Sequence, residues 1–234
     1  MNISVLIPAF NEAQNIKQTI DGLIRLKDEF LNKNGMDLQI IVIDDGSSDN
    51  TYERAVECGV EVLKLDRNIG KGGALNRGMK KARGDIVIFL DADLRGSSFE
   101  AYKLIIPIIQ DSADVTVAKF RPPKAKGGFG FVKALASHGV RFFTGHKLTS
   151  VLSGQRAFKR KVLEDIADIP DGYSLEVGML IDILIKGYRV VEVDVDMYHD
   201  VTGRNLQGFL HRGKQFIHIL RVLIRKIRER RAIA

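Results

Sequence analysis

Four short apolar runs separated by stretches of helical spacing fill the first ninety residues, and this alternation constrains the fold more than any other feature of the chain. Residues 3–7, 37–43, 60–65 and 85–90 have strand length and almost no polar interruption. Such runs read as strands buried on both faces of a sheet. Between the first two, residues from about Glu12 to Lys33 are expected to form a helix, with Ile16, Ile20, Leu23, Ile24 and Leu26 on its apolar stripe. The run Gly46-Ser47-Ser48-Asp49-Asn50-Thr51 reads as a turn that caps the next helix. Gly70 to Ala82 opens on glycines and continues with helical spacing. A βαβαβαβ order requires parallel strands joined by right-handed crossovers. The expected fold class is therefore α/β: a single Rossmann-like domain whose mostly parallel central sheet is flanked by helices.

The second half is less regular. Ala113 to Lys119 and Tyr188 to Val195 read as strands, Phe131 to Phe143 and Leu175 to Lys186 as helices, and Ser153 to Phe158 as a short strand entering a turn. Arg121 to Gly130 holds Pro122, Pro123, Gly127, Gly128 and Gly130 among Lys124 and Lys126, the composition of a cationic loop. Phe209 to Arg231 has helical spacing, with Phe216, Leu220, Leu223 and Ile227 expected on its apolar side. Arg221, Arg225, Lys226, Arg228, Arg230 and Arg231 stand there against the single acid Glu229. A basic amphipathic helix can pack on its own domain, pair with a second subunit, or lie on an anionic bilayer. The expected division is a domain over residues 1–208, with halves 1–120 and 121–208, followed by a basic helix over 209–234.

Every strand of the first half ends in a polar loop. These loops are Pro8-Ala9-Phe10-Asn11-Glu12, Asp44-Asp45-Gly46-Ser47-Ser48-Asp49, Asn68-Ile69-Gly70-Lys71-Gly72-Gly73 and Asp91-Ala92-Asp93. Parallel topology gathers them at the carboxyl edge of the sheet, where open α/β folds bind ligands. Asp91 and Asp93, two residues apart, can share a hard divalent cation that also holds phosphate oxygens. Lys71, on a glycine-rich turn at a helix start, can meet a phosphate beside exposed backbone N–H groups. Glu12 or Asp44 can accept hydrogen bonds from a base or a ribose. Each piece alone also has a structural reading as a turn, a tight bend, a solvated lysine or an N-cap. Together they favour a phosphorylated ligand, and the net charge of +7 suits anionic partners.

Other chemistries are excluded by what the loops lack. No glycine-rich turn ends in Gly-Lys-Ser or Gly-Lys-Thr, and no Gly-x-Gly-x-x-Gly follows the first strand. No Cys or His spacing suggests zinc, and no nucleic-acid-reading motif is present. Cys58 is the single cysteine, which rules out an internal disulfide and suits a reducing cytosol. No run reaches the ~18 apolar residues of a membrane span. The N-terminus enters a strand directly, so no cleavable leader is expected. The expected setting is cytoplasmic, with the basic tail as the one element suited to peripheral contact at the inner membrane face.

The segments Ser4 to Glu12, Ile41 to Thr51, Asn68 to Gly78 and Ile86 to Asp93 together resemble nucleotide-sugar glycosyltransferases of the GT-A fold, family 2 type. Further on, Ser153-Gly154-Gln155-Arg156-Ala157-Phe158, the run Gly172 to Asp182, and Tyr198-His199 followed by Arg204-Asn205 are similar to glucosyl-3-phosphoglycerate synthases. The resemblance implies a nucleotide sugar lying on Pro8, Ala9, Phe10, Glu12, Asp44, Ser47, Lys71, Gly72, Asp91 and Ala92. It implies Mg²⁺ or Mn²⁺ on Asp93, Asp91 and His199, and catalytic work by Glu176, Asp93 and Lys71. An acceptor would meet Lys124, Lys126, Gly127, Gly128, Ser153 and Arg156. The implied reaction moves glucose from UDP-glucose to a small phosphorylated acceptor such as 3-phosphoglycerate. Where those synthases carry a Gly-Gly-Gly-Arg-Val-Thr-like motif before their acceptor helix, this chain reads Gly127-Gly128-Phe129-Gly130-Phe131-Val132-Lys133, without the arginine and threonine. Dolichyl- and polyprenyl-phosphate sugar synthases share the first half and a Ser-Gly-x-Arg stretch. A lipid phosphate is thus the competing acceptor, and a nucleotide-sugar binder without turnover is a more distant alternative. Read from the residues alone, Glu176 is either a site carboxylate or a helix-start acid favoured by the dipole, and His199 is either a ligand or a surface histidine.

Overall fold

Alternate side chains of one central strand pack against two helix layers. In β1 (Asn2–Ala9), Ile3, Val5 and Ile7 pack with Ile16, Ile20 and Leu23, while Leu6 points through the sheet to Leu75 and Phe158. The computed structural model describes residues 1–121, 130–166, 169, 174–198 and 206–233. Around β1 run β2 (Asp37–Asp44), β3 (Glu61–Lys64), β4 (Ile86–Phe89), β5 (Val115–Phe120), β6 (Arg156–Lys159) and β7 (Val190–Val195). They form one seven-stranded sheet in the order β3-β2-β1-β4-β6-β5-β7. All pairings are parallel except those of β6, which runs antiparallel to both β4 and β5. The expected mostly parallel α/β sheet is what the chain forms.

Register levels the strand ends. Ala9 pairs with Asp44, Asp44 with Lys64, and Leu6 with Phe89. The four polar loops therefore leave the sheet at one rim. Helices α1 (Ile16–Leu26) and α4 (Tyr102–Ile109) cover one face; α3 (Lys71–Met79), α6 (Arg160–Ile166) and α7 (Ser174–Ile185) cover the other, and α2 (Thr51–Glu57) joins β2 to β3.

The long helix expected from Glu12 to Lys33 is three pieces instead: α1, a π turn over Lys27–Leu31 and a 3-10 turn over Asn32–Asn34 closed by Gly35 at φ 64°. Ile24 leaves the apolar stripe and is exposed, because it falls at the stripe's edge while Ile16, Ile20, Leu23 and Leu26 are buried.

Helix α7 is apolar all round because it is covered on two sides. Leu175, Met179 and Ile183 face the sheet; Val177, Leu180, Ile181 and Leu184 face α5 (Phe131–Thr144) and α8 (Leu206–Ile233). The expected stripe of α8 is corrected. Ile219, Val222 and Leu223 are buried, whereas Phe216, Leu220 and Ile227 are exposed. Gly139 of α5 makes the difference, since a Cβ there would lie 2.6 Å from Leu223. Lys226 closes the contact on Asp182 of α7 at 2.6 Å.

Candidate active site

The first two loops are tied to each other before any ligand is considered. Asn11, left-handed at φ 57°, donates its N–H to Ser47 Oγ at 2.9 Å and accepts from the Ser48 N–H at 2.9 Å. Glu12 donates its N–H to Thr51 Oγ1 and accepts from Asn15 Nδ2, both at 2.8 Å. Phe10 is exposed and Pro8 half-buried. Asp44 ends β2 and is fully buried. Its Oδ1 accepts from the Ser47 N–H at 3.2 Å, and its Oδ2 is the buried side-chain atom without a partner among the described residues. A buried acceptor left without a donor is costly and uncommon, so it marks a place where a ligand donor fits. Asp45, its neighbour, has a scaffolding task. It accepts from the N–H groups of Ile69 (2.8 Å) and Gly70 (2.9 Å), and so fixes the third loop. Gly46 has φ 74°, and a Cβ on it would lie 2.6 Å from the Arg67 carbonyl carbon, so no other residue fits that crossing.

The third and fourth loops meet through charge. Lys71, first residue of α3, places Nζ 2.5 Å from Asp91 Oδ1 and 3.9 Å from Glu176 Oε1. Burial alone would lower the Lys71 pKa, but Asp91 and Glu176 outweigh it and hold the ammonium above its ordinary value. The other Asp91 oxygen accepts from Gln155 Nε2 at 2.5 Å. Beside them Gly154 approaches so closely that a Cβ would lie 2.5 Å from Lys71 Nζ. Arg156, expected at the acceptor, is buried. Its guanidinium donates to the carbonyls of Ser153 and Val151, both at 2.9 Å, and so supports the turn that carries Gly154 and Gln155. Burial pushes its pKa down to about 10, against the opposing pull of Glu176. Ala92 is buried, and its carbonyl accepts from Thr19 Oγ1 at 2.7 Å; the same hydroxyl accepts the Arg95 N–H at 2.8 Å. These two hydrogen bonds fix the turn bearing Asp91 and Asp93. Tyr198 docks against the following segment, donating its N–H to Ser97 Oγ at 2.7 Å, with the Arg95 guanidinium 4.7 Å from its ring centre. His199, Lys124, Lys126, Gly127 and Gly128 lie outside the described residues.

A cleft of about 730 Å³ opens beside Asp91, between Lys119, Arg121, Lys133, Ser153 and Gly154. Lys119 pairs with Asp194 at 3.3 Å and Arg121 with Asp196 at 2.6 Å.

The model of the family described as Glycosyl transferase family 2 matches residues 4–167. The chain belongs to that family. Among family 2 relatives, a dolichol-phosphate mannosyltransferase of Pyrococcus furiosus is 28% identical over 96% of this chain and 63% of its own length. A glucosyl-3-phosphoglycerate synthase of Mycobacterium tuberculosis is 31% identical over 77% of this chain and 60% of its own. The chain thus spans under two thirds of both proteins. A crystal structure of the mycobacterial synthase, in complex with Mn²⁺, UDP and phosphoglyceric acid, superposes with a TM-score of 0.77 at 26% identity, over 95% of this chain and 77% of that one.

For a family 2 chain the donor set of the fourth loop fits a hard cation. Magnesium-type ions are held by one or two carboxylates plus substrate phosphates and water, and Asp91 and Asp93 stand on one fixed turn. Among the described residues no group of three His, Cys, Asp or Glu side chains forms a closed cage. Sequence reasoning missed Gln155 and Thr19. Gln155 was visible as a member of the Ser-Gly-x-Arg stretch; Thr19 had no signal beyond being a hydroxyl on an otherwise apolar helix stripe.

Proposed function

We propose that the rim binds a nucleoside diphosphate sugar, UDP-glucose first, and that the chain transfers its hexose to a small phosphorylated acceptor such as 3-phosphoglycerate. The observation that carries this reading is the Lys71 ammonium, shared by Asp91 and Glu176 at the same rim as the unpartnered oxygen of Asp44. The Asp44 oxygen accepts an N–H or O–H from the base or ribose. Lys71 stays cationic and opposes the negative charge that grows on the departing diphosphate. Asp93, with His199 and the neighbouring Asp91 that Lys71 and Gln155 engage, would hold a divalent cation, which would supply Lewis-acid stabilisation of the same charge. Glu176 faces the rim from the first turn of α7, where it orients the sugar or takes the proton of an acceptor hydroxyl. Lys119, Arg121 and Lys133 line the adjoining cleft and suit an acceptor phosphate. The mycobacterial synthase, solved with Mn²⁺, UDP and phosphoglyceric acid, supports the same set of ligands here.

A lipid-phosphate acceptor is the second reading. It is favoured by the match to a dolichol-phosphate mannosyltransferase along 96% of this chain. One experiment separates the two. The chain is incubated with UDP-glucose or GDP-mannose and Mn²⁺, and released nucleotide is followed with 3-phosphoglycerate or with polyprenyl phosphate in detergent. Release stimulated by 3-phosphoglycerate is the expected result. Stimulation by the lipid phosphate alone replaces the first reading with the second. Donor binding without release under either condition leaves a sugar-nucleotide binder and removes both.

A further inference from the structure

We propose that the outer stripe of α8 docks on an anionic lipid surface. The helix has one apolar stripe more than its packing uses. Ile219, Val222 and Leu223 are buried against α5 and α7, yet Ile217, Leu220, Ile224 and Ile227 remain 50%, 40%, 42% and 37% exposed. At about 3.6 residues per turn these four fall on a single face. Arg228, Arg221 and Arg225 follow along one side of it, all exposed. Lys226 is not part of that row, since it is committed to Asp182 and Glu229 at 2.6 and 2.9 Å.

An apolar stripe edged by arginines is the pattern of a helix that lies in the plane of a bilayer interface. Charge decides between the two occupants that an apolar stripe allows. A second copy would bring two arginine rows together, with Glu229 as the one acid on the described outer turns to offset them, and that acid already meets Arg225 at 3.6 Å and Lys226. An anionic surface is complementary to the same row. Among the described residues no helix is long and apolar enough to cross a membrane, so contact would be peripheral. Docking of this stripe is independent of the acceptor, and vesicle binding is measured without turnover.

The test is flotation of the full chain with vesicles of phosphatidylcholine, alone or mixed with phosphatidylglycerol. Binding to the mixed vesicles and not to the neutral ones is expected, and it should fade as salt is raised. The double substitution Ile217→Gln/Ile224→Gln should weaken it by about tenfold or more, and Arg221→Gln by about fivefold. All three side chains are exposed, and circular dichroism should show an unchanged fold. The proposal is overturned if the chain ignores mixed vesicles, if neutral vesicles bind it equally, or if the double variant floats like the parent. It is also overturned if light scattering finds a dimer that the double substitution dissociates, which would assign the stripe to a second copy.

Discussion

Two charged clusters occupy opposite ends of the sheet and follow opposite plans. At the end where β5 and β7 begin, Asp114 accepts from Lys159 Nζ at 2.8 Å and from the Arg189 N–H and Nε at 3.0 and 3.1 Å. Asp111 joins both cations, with Arg189 at 3.0 Å and Lys159 closer still. Two acids and two bases satisfy one another. At the carboxyl rim one ammonium is shared between Asp91 and Glu176, and a fully buried oxygen of Asp44 has no partner among the described residues. Both clusters shift ionisation. The Asp114 carboxyl is held far below its ordinary range, first by the Arg189 hydrogen bonds and then, against some burial cost, by Lys159. A displaced pKa therefore does not by itself mark a site. What distinguishes the rim is a buried acceptor that no described donor satisfies.

The sharpest break between the two ends should come from function-selective substitutions. Asp93→Asn or Lys71→Met should lower kcat about a thousandfold, as loss of a preorganised charge stabiliser does. The thermal midpoint should hold, because the Lys71 side chain is partly exposed. Nucleotide release and a melting curve on the same sample check both halves. Asp114→Asn should do the reverse. It should cost about 2 kcal/mol, the penalty for breaking a buried pair reduced because Arg189 is half exposed, with turnover unchanged. The sign with pH follows from the lowered carboxyl. Its contribution is complete above the ordinary carboxylate range and is lost as pH falls toward the folded value. The urea midpoint of the parent chain should thus drop in acid while that of Asp114→Asn changes less, and the two should converge. Parallel curves would mean that Asp114 contributes nothing through its charge.

The sequence showed one end of the molecule better than the other. Uninterrupted runs such as Ile41-Val42-Ile43 and Ile86-Val87-Ile88 announced buried parallel strands, and parallel order alone predicts that their exit loops converge. The insertion of β6 between β4 and β5 was not visible, because Arg156-Ala157-Phe158-Lys159 is too short to declare its direction. Asp45 was indistinguishable from Asp44, although one braces Ile69 and Gly70 and the other keeps a buried oxygen without a partner among the described residues. The difference is set by strand alternation at the last residue of β2. The structural end was illegible for another reason. Asp111, Asp114, Lys159 and Arg189 are up to 78 positions apart, and only the sheet brings them together. In α8, helical spacing allowed two apolar stripes, and the glycine on α5 that selects between them lies eighty-four residues from Leu223 by subtraction of their numbers.

Two added methyl groups give the finest contrast. Gly139→Ala would place a Cβ 2.6 Å from Leu223, inside a packed helix contact. It should lower stability by about 1–2 kcal/mol through overpacking and leave turnover alone. Gly154→Ala would place one 2.5 Å from Lys71 Nζ and 3.3 Å from Asp91 Oδ2. Here the obstructed atom is the tip of a long side chain, so the backbone need not yield; the ammonium moves instead. Stability should hardly change, and kcat should fall about tenfold because a charge displaced by a fraction of an ångström no longer meets the growing negative charge squarely. If Gly154→Ala turns over at the parent rate, Lys71 can work from a displaced position. Its bond to Asp91 then fixes the resting geometry and not the reactive one.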